Sequence, residues 1–347
     1  MNSKAIAPEY QGELRTVLGV NSSYEEVLTK ASKARRGAGS SLEQARASLA
    51  VAEAYRRLGR VEEAGEAWRD SYRSARRTGE KAAMAWALWS GGTLARQCGT
   101  LPLARRLLTH ALDLAEGSGD RVAYGYCLAG LAETGRIQGD YAAVGELHAE
   151  LLAQARAHGE PRHIVWALSG IAQMHRNTGA LDEALEMFEE SVRTAAAGDD
   201  ARGHAWSMRG VADVLSAQGH PERALELLSE AEVICRRMDL KSALAYNHKM
   251  RGNVLYRAGR YESARSVYAG ALAEFRAMNE PRGAALSRLG LVRAQYFMGA
   301  SDASTLDELN ALEREVARIG LRQAAETIRA FRARVEAPER TAERTRP

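Results

Sequence analysis

Small and apolar residues return along this chain with a fixed period. Glycine falls at Gly19, Gly59, Gly99, Gly139, Gly179, Gly219, Gly259 and Gly299, 40 residues apart each time. Two positions later comes Val61, Leu101, Tyr141, Leu181 or Tyr261. Five positions later comes Ala64, Ala104, Ala184, Ala224 or Ala264, with Tyr24, Val144 and Ser304 as exceptions. A second break recurs between these glycines, at Gly79, Gly119, Gly159, Gly198 with Asp199, and Asn279 before Pro281. A glycine just past a helix takes the left-handed conformation without a Cβ clash, so each break predicts a helix end. The small residue five positions on lets the next helix pack closely. The unit is therefore helix, tight turn, helix, loop. A unit of that kind buries its apolar face only by stacking on its neighbours. Ala, Leu, Glu and Arg dominate and only seven prolines occur, which favours helix over strand. The pattern predicts an all-α solenoid.

The turn segments Gly59-Arg-Val-Glu-Glu-Ala64, Gly179-Ala-Leu-Asp-Glu-Ala184 and Gly259-Arg-Tyr-Glu-Ser-Ala264 resemble the turn of the tetratricopeptide repeat. Other positions of that family follow in phase. The small residue of the first helix is Ala52, Gly92, Ala132, Ala172, Ala212 or Gly252. The large residue of the second helix is Trp68, Leu108, Phe188, Leu228 or Tyr268, with His148 a departure, and Ala111, Ser191, Ala231 or Ala271 follows three later. The family's usual unit is about 34 residues. This chain resembles its 40-residue variants, found in spindle-orientation scaffolds and in bacterial peptide-receptor regulators. The resemblance implies a right-handed superhelix of helical hairpins over about residues 8–320. It is specific for fold and generic for function. We expect an N-terminal capping hairpin over 1–40 and seven repeats over 41–320. A capping helix over 321–336 carries Leu321, Ala324, Ala325, Ile328 and Phe331 at helical spacing, and a charged, disordered tail follows over 337–347.

The resemblance also implies that the first helix of each unit lines the concave face. One column of that helix is Trp86, Tyr126, Trp166, Trp206 and Tyr246, with Leu286 in sixth place. Positions three, seven and ten further along share its face. They add Trp89, Arg209 and Lys249; Glu133, Gln173, Asp213 and Asn253; and Arg96, Arg136, Arg176, Tyr256 and Tyr296. Charged residues are rarely buried together in a core, so this face is open or lines a polar cavity. The aromatic row reads either as a wedge between units or as a ladder gripping a ligand. The arginines offer carboxylate recognition or stacking. A peptide with an acidic or C-terminal carboxylate end suits them.

Net charge is +4 with 48 basic and 44 acidic residues, too even for a nucleic-acid surface without clustering on one face. Cys98, Cys127 and Cys235 are odd in number and far apart, which reads as reduced thiols. With no signal-peptide pattern and no run of about 20 apolar residues, the expectation is a cytoplasmic protein with no membrane contact. No phosphate loop, HExxH or GxSxG occurs, so no metal, cofactor or covalent nucleophile is expected. The leading reading is a scaffold that binds a peptide, a partner protein or a small organic ligand in its groove, with homodimerisation through a terminal unit left open. One alternative is an enzyme using Glu133, Asp213 and Tyr256 as acid–base groups, with burial raising a carboxylate pKa. Another is a sensor subunit acting on a partner. A scaffold predicts a long open groove. An enzyme or small-molecule binder predicts a superhelix closed around a compact pocket, and a carboxylate there without a basic partner.

Overall fold

A computed structural model describes residues 24–337, and among these there are sixteen α-helices and no strand. Helix α1 (Tyr24–Arg36) precedes seven hairpins. These are α2 (Ser41–Arg57) with α3 (Val61–Thr78), α4 (Lys81–Gln97) with α5 (Leu101–Ser118), and α6 (Arg121–Gln138) with α7 (Tyr141–His158). Next come α8 (Pro161–Thr178) with α9 (Leu181–Ala197), α10 (Ala201–Ala217) with α11 (Pro221–Arg237), and α12 (Lys241–Arg257) with α13 (Tyr261–Ala277). The last pair is α14 (Pro281–Phe297) with α15 (Asp302–Ile319), and α16 (Arg322–Glu336) ends the series. The short helix expected before Gly19 and the tail after Ala337 lie outside the described residues.

The two helices of a hairpin differ in how they are buried, and the sequence shows why. In α5 the buried positions are Leu101, Ala104, Leu108, Ala111 and Ala115, one stripe at helical spacing. The rest of that helix is polar and faces out. In α4 the run from Ala85 to Ala95 is buried without a break, as expected of a helix apolar on nearly every side. The first helices therefore form the inner layer. Each packs on the first helix of the next unit as well as on its own partner, while the second helices fan out on the outside.

The periodic breaks behave as helix stops. Gly79, Gly119 and Gly159 cap the outer helices at positive φ, and in the later units the same place is taken by Asp199, Asp239 and Asn279, with φ of 52°, 47° and 50°. Asp and Asn are among the few side chains that tolerate this region.

The superhelix closes on itself. The turn after α4 meets the end of α15 so tightly that a Cβ on Gly99 would lie 2.8 Å from the Ile319 side chain. A Cβ on Gly59 would lie 3.3 Å from the Met278 backbone. Leu101 and Ile137 from the early units share one buried cluster with Ile319, Leu321 and Ile328 from the end. Two polar ties span the interior: Arg202 donates to the Tyr24 hydroxyl at 2.5 Å, and Arg282 to Glu133 at 3.1 Å.

Gly99→Ala and Gly179→Ala both place a Cβ at positive φ, but nothing lies within 4 Å of the second. Each should lose roughly 1 kcal/mol for the backbone. Only Gly99→Ala should lose more in thermal melts and enlarge the radius of gyration in X-ray scattering. Equal losses and unchanged scattering from both would show that the seam does not hold the closure.

Candidate functional site

Closure encloses a cavity of about 410 Å³. Nearly all of its lining comes from the inner helices α2, α4, α6, α8, α10, α12 and α14. Its walls are aromatic, with Trp89, Tyr126, Trp166, Trp206 and Tyr246. Trp89, Tyr126 and Trp166 meet edge to face at 5.1 and 4.8 Å between centroids, an arrangement the ring quadrupoles favour. Arg56, Arg57, Arg96, Arg136, Arg162, Arg202, Arg209, Lys241 and Arg282 enter this space, against Glu133, Asp200 and Glu280. Glu53, buried behind the wall, pairs with Arg56 and Arg57, and the remaining cations still outnumber the carboxylates, so the cavity is electropositive.

Glu133 stands at the centre of the arginines. It accepts from Arg136 at 2.7 and 2.8 Å and from Arg282 at 3.1 Å, with Arg96 3.9 Å away. Burial alone would raise its pKa, but Arg136, Arg282 and Arg96 outweigh burial and hold the carboxyl well below its usual range. The expectation that desolvation raises a carboxylate pKa here fails for Glu133, and for the same reason it fails for Asp213. Asp213 is 4% exposed, yet Arg176 at 3.1 Å and Arg257 at 2.8 Å overcome burial and lower its pKa. Both are ionised and paired, so neither is the unpartnered carboxylate that an acid–base enzyme predicts. Tyr256 is shifted upward, chiefly by burial. It packs on Tyr261 and Phe297 and under Arg293, outside the cavity.

The aromatic column divides. Trp86 is fully buried, donates from Nε1 to Asp120 at 2.9 Å and packs against Trp89 and Tyr126. It wedges adjacent units together and does not reach the cavity, a correction to its place in the groove. Trp166, Trp206 and Tyr246 are half-buried and form wall. The Tyr246 hydroxyl donates to Glu280, the residue capping α14, at 3.0 Å. Its ring lies under both Arg209 and Arg282.

Of the other expected groove residues, Trp89, Arg96, Tyr126, Glu133, Arg136, Gln173 and Arg209 line the cavity. Arg176, Asp213 and Lys249 form a separate cluster alongside it. Burial there, with Arg282, Arg176 and Arg209 nearby, brings the Lys249 amine down to about 7 despite Asp213. Asn253 accepts from the Tyr268 hydroxyl at 2.8 Å. Tyr296 is 6% exposed and packs on Phe331 in the closing core. Asn253 and Tyr296 are structural: Asn253 is bound across its own hairpin by Tyr268, and α16 covers Tyr296.

The sequence reading missed Arg162, Arg202 and Arg282. They lie one turn before Trp166, Trp206 and Leu286, on the same face and at one phase of the 40-residue repeat, with Ser242 the exception. Their shared phase is the signal that marks them in the sequence. Arg162 donates to the Tyr126 hydroxyl at 3.1 Å and pairs with Asp200 at 3.6 Å. His148 was visible as a departure from an apolar column. It is 4% exposed, fills the space left by Gly170 and lines the cavity, and neither ring nitrogen has a hydrogen-bond partner. Burial lowers its pKa to about 4, so the ring is neutral.

Fold and cavity define the class: a closed repeat solenoid with a ligand-sized, cationic interior. The tetratricopeptide repeat family model matches residues 163–237, and the same helical hairpin recurs through the described residues. Among solved structures it is similar to a Rap protein complexed with Competence and Sporulation Factor, at 12% identity and a TM-score of 0.64 over 96% of this chain and 98% of that one. It is similar to NprR in complex with its cognate peptide NprX, at 13% identity and 0.61 over 95% and 98%. It is also similar to the Rap conjugation gene regulator of the plasmid pLS20 in complex with the Phr* peptide, at 16% identity and 0.61 over 86% and 78%. At such identities the likeness is one of fold. No curated protein matches the chain.

Asp213→Asn should cost about 3 kcal/mol at neutral pH, because two guanidiniums lose a buried counter-charge. The folded-state pKa is depressed, so this stability is present above the unfolded value near about 4 and lost as pH falls through the folded one. Urea melts should show the gap between wild type and variant closing below about pH 4. A gap that does not change with pH would mean the carboxylate is not ion-paired.

Proposed function

We propose that this chain is a receptor that holds a compact anionic ligand, a short acidic peptide, inside its closed superhelix. The excess of cations over carboxylates in an aromatic-walled cavity carries the reading. An apolar or cationic ligand would leave those guanidiniums buried and uncompensated, which is costly. The cavity falls in the roughly 300–1,000 Å³ range of drug-sized ligand sites. It therefore suits a few residues of peptide rather than a long strand laid along an open groove. The superhelix is of the form seen in a Rap protein with Competence and Sporulation Factor and in NprR with NprX, which supports a peptide over other anions. Aromatic walls supply contact area at low entropic cost, and arginines supply bidentate carboxylate recognition. Closure couples what lies inside to the outer surface, so a sensor acting on a partner protein is the role this receptor best serves.

Tryptophan fluorescence and calorimetry with short synthetic peptides test the reading. Peptides with Asp or Glu and a free C-terminus should bind, with affinity falling as salt rises. Lys-rich peptides of equal length should not. Trp166→Ala with Trp206→Ala should abolish binding and keep the helical circular dichroism. Equal binding of acidic and basic peptides would overturn the reading. Unfolding of the double variant would make the aromatic row a packing element.

A further inference from the structure

Inside the cavity the counter-charge is unevenly distributed. Arg96 from α4, Arg136 from α6 and Arg282 from α14 gather around one ionised carboxylate, Glu133, and Arg209 from α10 enters the same cavity. That carboxylate is already committed. Arg136 holds it in a two-pronged contact and Arg282 takes one further bond, while Arg96 stays 3.9 Å away. The Nε of Arg96 is buried with no hydrogen-bond partner. Arg209 makes no hydrogen bond or ion pair among the described residues, and its guanidinium lies 5.6 Å from the centre of the Tyr246 ring, which Arg282 also approaches at 5.7 Å. Glu280, the other acid close by, is occupied by the Tyr246 hydroxyl and by the Gly283 amide at 2.6 Å. Burial pushes the Arg96 and Arg209 pKa values down, and the neighbouring acids do not offset it. Burial also raises Glu280, which weakens it further as a counter-ion.

We propose that Arg96, Arg209 and Arg282 form a seat for a carboxylate of the ligand, and that this carboxylate is the keystone tying the two ends of the superhelix together. The inference rests on the receptor reading above and names the atoms that hold the ligand's acid. Glu133 on Arg136 shows the forked geometry a carboxylate adopts in this cluster. The seat is assembled from helices of three different units, so an occupant bridges parts of the chain far apart in sequence. Without one, three like charges face one another with a single shared counter-ion, and their repulsion opposes closure. With one, each guanidinium gains a partner, and the ends are drawn in on the same side as the Arg282–Glu133 tie. Occupancy of the cavity and compactness of the superhelix are thus two readings of one equilibrium. The outer helices α3, α5, α13 and α15, carried by the early and late units, move with it.

The test uses the full chain with acetate as the probe, sodium chloride at equal ionic strength as the control and inorganic phosphate as a second arm. Acetate should raise the melting temperature above the chloride control and reduce the radius of gyration in X-ray scattering. Arg209→Gln should raise the melting temperature of the unliganded protein, because an uncompensated buried cation is removed. The same variant should lose the acetate response and bind acidic peptide about tenfold or more weakly. Arg193→Gln on the outer face of α9 should behave as wild type. If acetate acts no differently from chloride, or Arg209→Gln keeps the response, the seat is wrong. A response to phosphate without one to acetate would overturn the carboxylate assignment. The two readings fail separately. Acidic peptides that bind wild type and Arg209→Gln alike would leave the receptor standing and remove the seat. An acetate response that depends on Arg209, with no peptide binding, would do the reverse.

Discussion

The closure of the superhelix is the constraint on which everything else in this molecule depends. A repeat solenoid is held by nearest-neighbour contacts and has no inherent reason to bring distant units together. Here the turn of one early hairpin is seated on the end of the last one, with Gly99 leaving room for Ile319. Leu101 and Ile137 join the core of the closing helices. That contact converts a groove into a cavity. It also brings arginines from helices more than a hundred residues apart into one space, where they have too few acids to pair with.

Stability and function pull in opposite directions at this point. The apolar seam and the Arg202–Tyr24 and Arg282–Glu133 ties favour the closed form. The surplus of buried guanidiniums opposes it. Such a surplus is a poor way to stabilise a fold, since desolvating unpaired charge is costly. On the proposed reading, it makes the fold await an anion. The acid–base alternative loses its footing on the same facts. Glu133 and Asp213 are held ionised by two or three arginines each, so they serve as counter-ions rather than as proton donors or acceptors.

Much of this was legible in the sequence because the repeat never slips. Glycines at 40-residue spacing marked the turn inside every hairpin, and the column from Trp86 to Tyr246 marked the inner face. What the period could not convey was closure, which depends on contacts between residues one superhelical turn apart that share no local pattern. Trp86 illustrates the limit. Its column mates face the cavity, yet it is buried, because Trp89 lies beside it in the same helix and takes the place at the wall. Tyr296 failed for a related reason: α16 covers it. Arg162, Arg202 and Arg282 share one phase of the repeat and are readable from it, one turn before the aromatic column. His148 was seen as an irregularity, and only the absence of any partner for its ring in the folded chain gives that irregularity a meaning.

The most direct test of a closed, anion-seeking cavity is an experimental structure of the chain with a short Glu-rich peptide added. The account predicts the peptide inside the superhelix, between Trp166, Trp206 and Tyr246, with an acidic group against Arg96, Arg209 and Arg282 and the Gly99–Ile319 seam intact. A peptide bound on the outer helices, or stretched along a groove with that seam open, would contradict it.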